Sequence, residues 1–160
     1  MLRAPWLLVS LLSAALLIGL CPVDARAEAD ENTSLVANRP HVRLDRLALP
    51  ADLVGARELE THLRSTLKRE VRHADWGADS HSRISYRFFV EQLDLREEGG
   101  VLHVTCTARG RLPKGKSAKS HIVFGGDPKD RKKVVERVLD IVARGVVTRL
   151  AELERARRTP

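Results

Sequence analysis

The sequence predicts an α+β fold of two layers: a four-stranded mixed sheet with two helices on one face, in the order β-α-β-β-β-α. Three observations carry this. Two long segments repeat apolar residues at helical spacing, 56–71 and 135–153. Four segments alternate apolar and polar residues at strand spacing. Each helix has a single apolar stripe, so both must cover something, and one sheet face is the simplest solution.

His41–Leu49 opens the fold. Val42, Leu44 and then Leu47 and Leu49 are apolar, with a slip near Asp45 and a stop at Pro50. Ala56–Val71 is the first helix, with Ala56, Leu59, Leu63, Leu67 and Val71 on one stripe. A polar connection containing Gly77 follows. Arg83–Arg96 is a long strand: Ile84, Tyr86, Phe88 and Val90 share a face, and Leu93 and Leu95 change phase. That change requires a bulge near Glu91-Gln92. Glu98-Gly99-Gly100 turns the chain into Val101–Leu112. Pro113–Ala118 reads as a basic loop and Lys119–Phe124 as the last strand. Asp127 suits an N-cap, Pro128 the first helical position, and Asp130 the place of a capping-box acid. Val135, Val138, Leu139, Val142, Val146, Leu150 and Leu153 then form one stripe. Gly145 within it costs about 1 kcal/mol against Ala, which close approach to the sheet would explain. A right-handed crossover makes the first two strands parallel. His41–Leu49 or Lys119–Phe124 is the expected open edge, able to accept a partner strand.

The chain's beginning gives an address. Met1-Leu2-Arg3 is basic, Trp6–Leu20 is an apolar run, and Ala25-Arg26-Ala27 has the small-x-small pattern of a cleavage site. This is the layout of a secretory signal peptide. The run is shorter than the roughly 20 residues of a membrane span. The expected organisation is a signal peptide over 1–27, a flexible polar leader over 28–40 and one domain over 41–157, with cleavage after Ala27. The product is periplasmic or secreted. Leu20 is the wrong size for the residue before a lipidated cysteine, so an anchor at Cys21 is not expected. Asn32-Thr33-Ser34 is a glycosylation acceptor pattern, relevant only to a eukaryotic route.

The whole chain carries a formal charge of +7, and the first 27 residues hold Arg3, Arg26 and Asp24, leaving about +6 after cleavage. An exported basic protein meets little ATP or nucleic acid; its anionic partners are lipid head groups, lipopolysaccharide, cell-wall polymers or acidic proteins. An arginine-rich background is the competing explanation of the charge. Cys106 is the lone cysteine left after cleavage, so no internal disulfide forms, and its place among Leu102, Val104 and Ala108 makes it a buried, inert thiol.

This order of elements resembles the small periplasmic α/β domains of the bacterial envelope. The nearest is the LPS-assembly lipoprotein family, with the amino-terminal domain of TolB and the accessory lipoproteins of envelope ABC transporters also similar. The likeness rests on the signal segment, strand His41–Leu49, helix Ala56–Val71, the hairpin Ser82–Leu112, a third meander strand and a final amphipathic helix. It spans Pro40 to Glu154. It implies a lipopolysaccharide-linked binding or accessory role. The family's lipobox is poor here, which separates this chain from a membrane-anchored plug.

Three constellations remain. Gly110-Arg111-Leu112-Pro113-Lys114-Gly115-Lys116-Ser117 fits the P-loop pattern, but strand rather than helix is expected after Ser117, and no acidic strand follows. His73, Asp75, Asp79 and His81 are metal-capable and flank Trp76-Gly77, although their spacing is unusual for zinc. Six of the seven lysines fall between Lys114 and Lys133. Lys114, Lys116, Lys119, Lys129, Lys132 and Lys133 are therefore the candidate anion-binding residues, in two patches if the strand between them is extended. Cations at a helix start oppose its dipole, and a docked anion would reverse that cost. Aromatic residues are too few for a sugar-stacking platform. The sequence thus predicts a non-catalytic envelope binding or accessory protein without cofactor. It would take an acidic envelope component, a membrane surface or a protein partner by its basic patch or an edge strand. An exported metal- or phosphate-dependent enzyme, using the His73–His81 or Lys114–Ser117 loop, is the alternative.

Overall fold

A computed structural model describes residues 38–51, 53 and 55–158. The signal segment, most of the leader, Cys21 and Asn32 lie outside the described residues. The elements are β1 (His41–Ala48), α1 (Ala56–His73), β2 (Arg83–Glu98), β3 (Val101–Arg111), β4 (Ser117–Gly126) and α2 (Arg131–Arg158). They form one four-stranded sheet in the order β1-β2-β3-β4. β1 runs parallel to β2, and the other pairs are antiparallel. The fold class, element order and mixed sheet are those the sequence predicts.

The two phase changes lie where the alternation breaks. The β1–β2 register shifts between Leu44 and Arg46, and the β2–β3 register between Val90 and Gln92. Each shift skips one residue, Asp45 or Glu91. Without it, every later side chain would turn to the wrong face. Leu47 and Leu93 therefore stay on the side of the core.

α2 covers that side. Val138, Leu139, Val142, Val146 and Leu150 are fully buried, and each such burial stabilises by about 1.5–3 kcal/mol. The buried stripe is wider than its sequence outline: Val134, Ala143, Val147, Ala151 and Glu154 join it. α2 rests on β3 and β4, and α1 packs chiefly against α2 while reaching β1. The buried face of α1 is Leu63, Thr66, Leu67 and Glu70, rotated from the expected line so that Val71 is half-buried.

Local details differ at several places. β4 starts at Ser117 and ends at Gly126, longer than Lys119–Phe124. The basic loop shrinks to a turn closed by Leu112 N to Lys116 O at 2.9 Å, with Gly115 at φ 81°. Asp127 does cap: its carboxylate accepts from Lys129 N at 2.9 Å. It starts a short 3-10 turn, Pro128–Asp130, ahead of α2. Asp130 does not close a capping box; it accepts from Lys133 Nζ at 2.7 Å. Trp76, unplaced by the sequence pattern, is a core residue at 4 % exposure. Its Nε1 donates to Val71 O at 3.1 Å, and its ring lies 6.4 Å from that of Tyr86.

Cys106 is fully buried, and burial pushes its thiol up to about 12. Gly110 sits in β3 directly beneath α2. A Cβ there would lie 2.6 Å from Leu150 Cδ1 and Val146 Cγ1. Gly110→Ala is therefore expected to destabilise the fold by about 1–3 kcal/mol through overpacking, measured by urea unfolding. An unchanged midpoint would show that α2 does not press on the sheet at this point.

Candidate anion-binding surface

The six lysines separate into two groups. Ten residues of β4 at about 3.3 Å each put about 33 Å between its ends. Lys114 and Lys116 lie at the β3–β4 turn. Lys129, Lys132 and Lys133 lie at the far end, at the start of α2. Several are already engaged: Lys133 with Asp130 at 2.7 Å, Lys132 with Glu58 at 3.5 Å and Lys119 with Glu91 at 3.8 Å. The Asp130 hydrogen bond raises the Lys133 ammonium above its ordinary value. Lys116 Nζ reaches Leu153 O at 3.5 Å. Lys114 and Lys129 are exposed.

The histidine loop is built for another purpose. Asp75 accepts from Gly77 N at 2.9 Å and from Arg155 NH1 at 2.7 Å. Asp79 accepts from His81 N at 3.1 Å, from Ser82 Oγ and from Arg158 NH1 at 3.5 Å. The Ser82 hydrogen bond, with smaller help from His81 N and Arg158, holds the Asp79 carboxyl below the usual carboxylate range. His73 and His81 are exposed. Among the described residues no group of three or more His, Cys, Asp or Glu side chains is placed to share a metal ion. The two aspartates tie this loop to the last turn of α2.

The P-loop pattern also has a structural explanation. Gly110 is kept small by α2, Gly115 supplies the left-handed turn, and Ser117 opens a strand rather than a helix. Among the described residues no helix starts at this loop to supply the dipole a phosphate cradle needs.

The strongest basic feature is one the sequence reading passed over. Both helices cover one face of the sheet, so the alternate residues of each strand face away from them. On that bare side Arg46 is the register partner of Arg87, and Arg87 of Arg111. All three are exposed. None of the three side chains makes a hydrogen bond or ion pair with another described residue. Neighbouring strands are about 4.8 Å apart, so three guanidinium stems stand in a row across three strands. Like charges directly opposite each other on a sheet are unfavourable. Arg43 and Arg83 extend the row toward the strand starts. Arg109 and Lys119 lie above it and share Glu91, the skipped residue of β2. Arg109 Nε is 2.6 Å from Glu91 Oε1, a close ion pair whose N–H is poorly aimed. At the other end of the face the charges are mixed: Gln92, Asp94, Arg96, Thr105 and Val123 stand there, with no row of arginines across neighbouring strands.

Next to the row a cavity of about 230 Å³ opens between the strand ends and α2, lined among others by Arg83, Leu112, Lys114, Lys116, Glu154 and Arg157. Lys114 and Lys116 therefore join the arginine end of the molecule. The signal that could have located it is arginine at alternate strand positions: Arg83 and Arg87, Arg109 and Arg111, Arg43 and, across the slip, Arg46. Nothing in the sequence says which strands are neighbours, so the row is invisible until the sheet order is known.

Glu154 anchors the wall of this cavity. It is only 5 % exposed and accepts from Arg157 NH2 at 2.5 Å and Arg158 Nε at 3.2 Å. The Arg157 hydrogen bond is the largest influence holding its carboxyl below 4.5. A lowered folded value means that this stabilisation is fully present above the ordinary pKa and lost as pH falls through the folded one. Glu154→Gln is expected to cost about 1.5–3 kcal/mol at pH 7 and to remove part of the stability loss below pH 4.5. Urea midpoints from pH 3 to 7 check this; an unaltered acid limb would contradict it.

Neither a protein-family model nor a curated protein matches this chain. Solved structures do. Rare lipoprotein B from Shewanella oneidensis aligns at a TM-score of 0.42 and 12 % identity, over 71 % of this chain and 99 % of its own. PelC from Paraburkholderia phytofirmans, a dodecamer, aligns at 0.41 and 12 %, over 68 % and 92 %. A minor lipoprotein from Acinetobacter baumannii aligns at 0.31 and 20 %, over 73 % and 92 %. No described helix is long and apolar enough to cross a membrane.

Proposed function

We propose that this chain is an exported, non-catalytic protein of the bacterial cell envelope that binds an acidic envelope component on the bare face of its sheet. The observation that carries this is the exposed row Arg46, Arg87 and Arg111, adjacent on three strands and without a carboxylate partner among the described residues. Arranging like charges side by side costs stability, and a bound anion converts the cost into attraction. Guanidinium groups suit this work because they bind phosphate and carboxylate with two parallel hydrogen bonds.

The export pattern over Met1–Ala27 supports the compartment. The order of elements, similar to that of the LPS-assembly lipoproteins, favours a lipopolysaccharide-linked partner over a soluble acidic protein. The enzyme alternative has weaker support. Asp75 and Asp79 are engaged with Arg155 and Arg158, and Ser117 begins a strand.

Vesicles of neutral lipid, with and without lipopolysaccharide, test the reading by cosedimentation. Binding is expected only to the anionic vesicles and should weaken as salt rises from about 0.05 to 0.3 M, because screening shortens the reach of exposed charges. The double variant Arg87→Gln/Arg111→Gln should bind at least tenfold more weakly, since two charge-assisted contacts are lost. The triple variant Lys129→Gln/Lys132→Gln/Lys133→Gln should change binding little. The reverse ranking would move the site to the start of α2. Absence of binding to any acidic surface would reject the function.

A further inference from the structure

The two edges of the sheet are unequal. β1 is guarded: it carries the irregularity at Asp45 and the charges Arg43, Asp45 and Arg46. Charges and bulges of this kind protect an edge from pairing with another chain. β4 has no such guard. Its ten residues pair with β3 at every position without a shift, they include no proline, and Lys119 is their lone charge. Among the described residues no strand lies on the other side of β4.

α2 runs antiparallel to β4 one layer above it. The Arg137 guanidinium lies 5.8 Å from the centre of the Phe124 ring. A Cβ on Gly145 would come 3.2 Å from Ser120 Oγ. Four helical residues rise about 6 Å, and two strand residues about 6.6 Å. The rungs Arg137–Phe124, Ile141–Ile122 and Gly145–Ser120 therefore follow one another along the edge. Ile141 is 40 % exposed, and Val123, on the opposite face, 60 %. Ile122 and Phe124 are only half-buried, although they point to the covered side. Among the described residues the edge thus joins an unpaired strand to a helix flank on which Ile141 and Gly145 are uncovered.

We infer that this edge pairs with the same edge of a second copy, antiparallel about a two-fold axis at His121, to give a continuous eight-stranded sheet. With that axis, small residues meet large ones in both layers. Ser120 faces the partner's Ile122, and Ala118 faces the partner's Phe124. In the helical layer Gly145 faces the partner's Ile141. Lys119 faces the partner's Val123 rather than another lysine. The mid-helix glycine gains a second reason beyond its approach to Ser120: a side chain there would stand where the neighbouring isoleucine packs. The edge is about 33 Å long and about 20 Å deep across two layers. That is about 650 Å² per copy, close to the roughly 800 Å² per partner of a stable interface. Charge also bears on the occupant: an acidic partner is drawn to the arginine row, whereas β4 itself carries one charge, Lys119, with Arg137 beside it on α2.

Sedimentation velocity on the exported chain, from about 1 to 200 μM, tests the pairing. A monomer–dimer equilibrium is expected. It should strengthen with salt, because two copies of positive net charge repel through less distance when screened. Anion binding weakens with salt, so the two behaviours fail independently. Ile141→Glu should weaken the dimer at least tenfold while leaving far-ultraviolet circular dichroism and the urea midpoint in place. A second variant reads the register. His121→Cys puts its Cα within disulfide reach of its copy at the axis, whereas Val123→Cys stands about 13 Å from its own copy. His121→Cys should crosslink on mild oxidation and Val123→Cys should not. A monomer at all concentrations, equal crosslinking of the two cysteines, or a dimer indifferent to Ile141→Glu would each overturn the pairing. So would capture of another protein's strand by β4 without self-association.

Discussion

Everything in this molecule depends on α2 lying along one face of the sheet. Its buried stripe, from Val134 to Glu154, is the longer of the two buried helical stripes among the described residues. Once it docks on β3 and β4, the strands have an inside and an outside. Inward positions become Ile84, Tyr86, Phe88, Val104, Cys106 and Ala108, all buried. Outward positions inherit whatever the alternation leaves, and toward the start of β2 and the end of β3 that is largely arginine. The two register shifts, at Asp45 and Glu91, preserve this sorting where the alternation of period two breaks. The Glu91 shift has a second effect. It places a carboxylate on the bare side, where it neutralises Arg109 and Lys119 and leaves the lower row uncompensated.

The helices are held to each other by polar contacts as well as apolar ones. Asp140 of α2 accepts from Thr66 at 2.6 Å and lies 2.9 Å from His62 Nε2. Buried Glu70 of α1 receives Arg144 at 3.3 Å. Such contacts add little net stability, because desolvation offsets them. Their value is directional. An apolar seam tolerates a small rotation of α1, whereas one that leaves Thr66 or Glu70 without its partner costs about 1–3 kcal/mol for each unsatisfied group. This agrees with the rotation of the α1 stripe from Val71 toward Thr66 and Glu70.

Much of the fold was legible because its signals are local. The phase change between Val90 and Leu93 is visible in the residue pattern, and so is the slip at Asp45. The Gly99-Gly100 turn, the Asp127 cap and the burial of Cys106 follow from neighbouring residues alone. What escaped is what depends on distant chain. Trp76 reads as a loop residue because its support, Val71 and Tyr86, comes from two different elements. Asp75 and Asp79 read as metal-capable because Arg155 and Arg158 lie about 80 residues away. The lysine cluster dominated the sequence because its members fall within the short segment 114–133. The arginine row, assembled from β1, β2 and β3, left no contiguous trace.

The bare face has a further consequence for how such a protein changes over generations. Arg46, Arg87 and Arg111 are exposed on it, so any of them can be exchanged without opening a void beneath α2. Ligand preference is thereby uncoupled from foldability. A lineage can retune what the molecule recognises, one strand position at a time, while the buried layer stays intact.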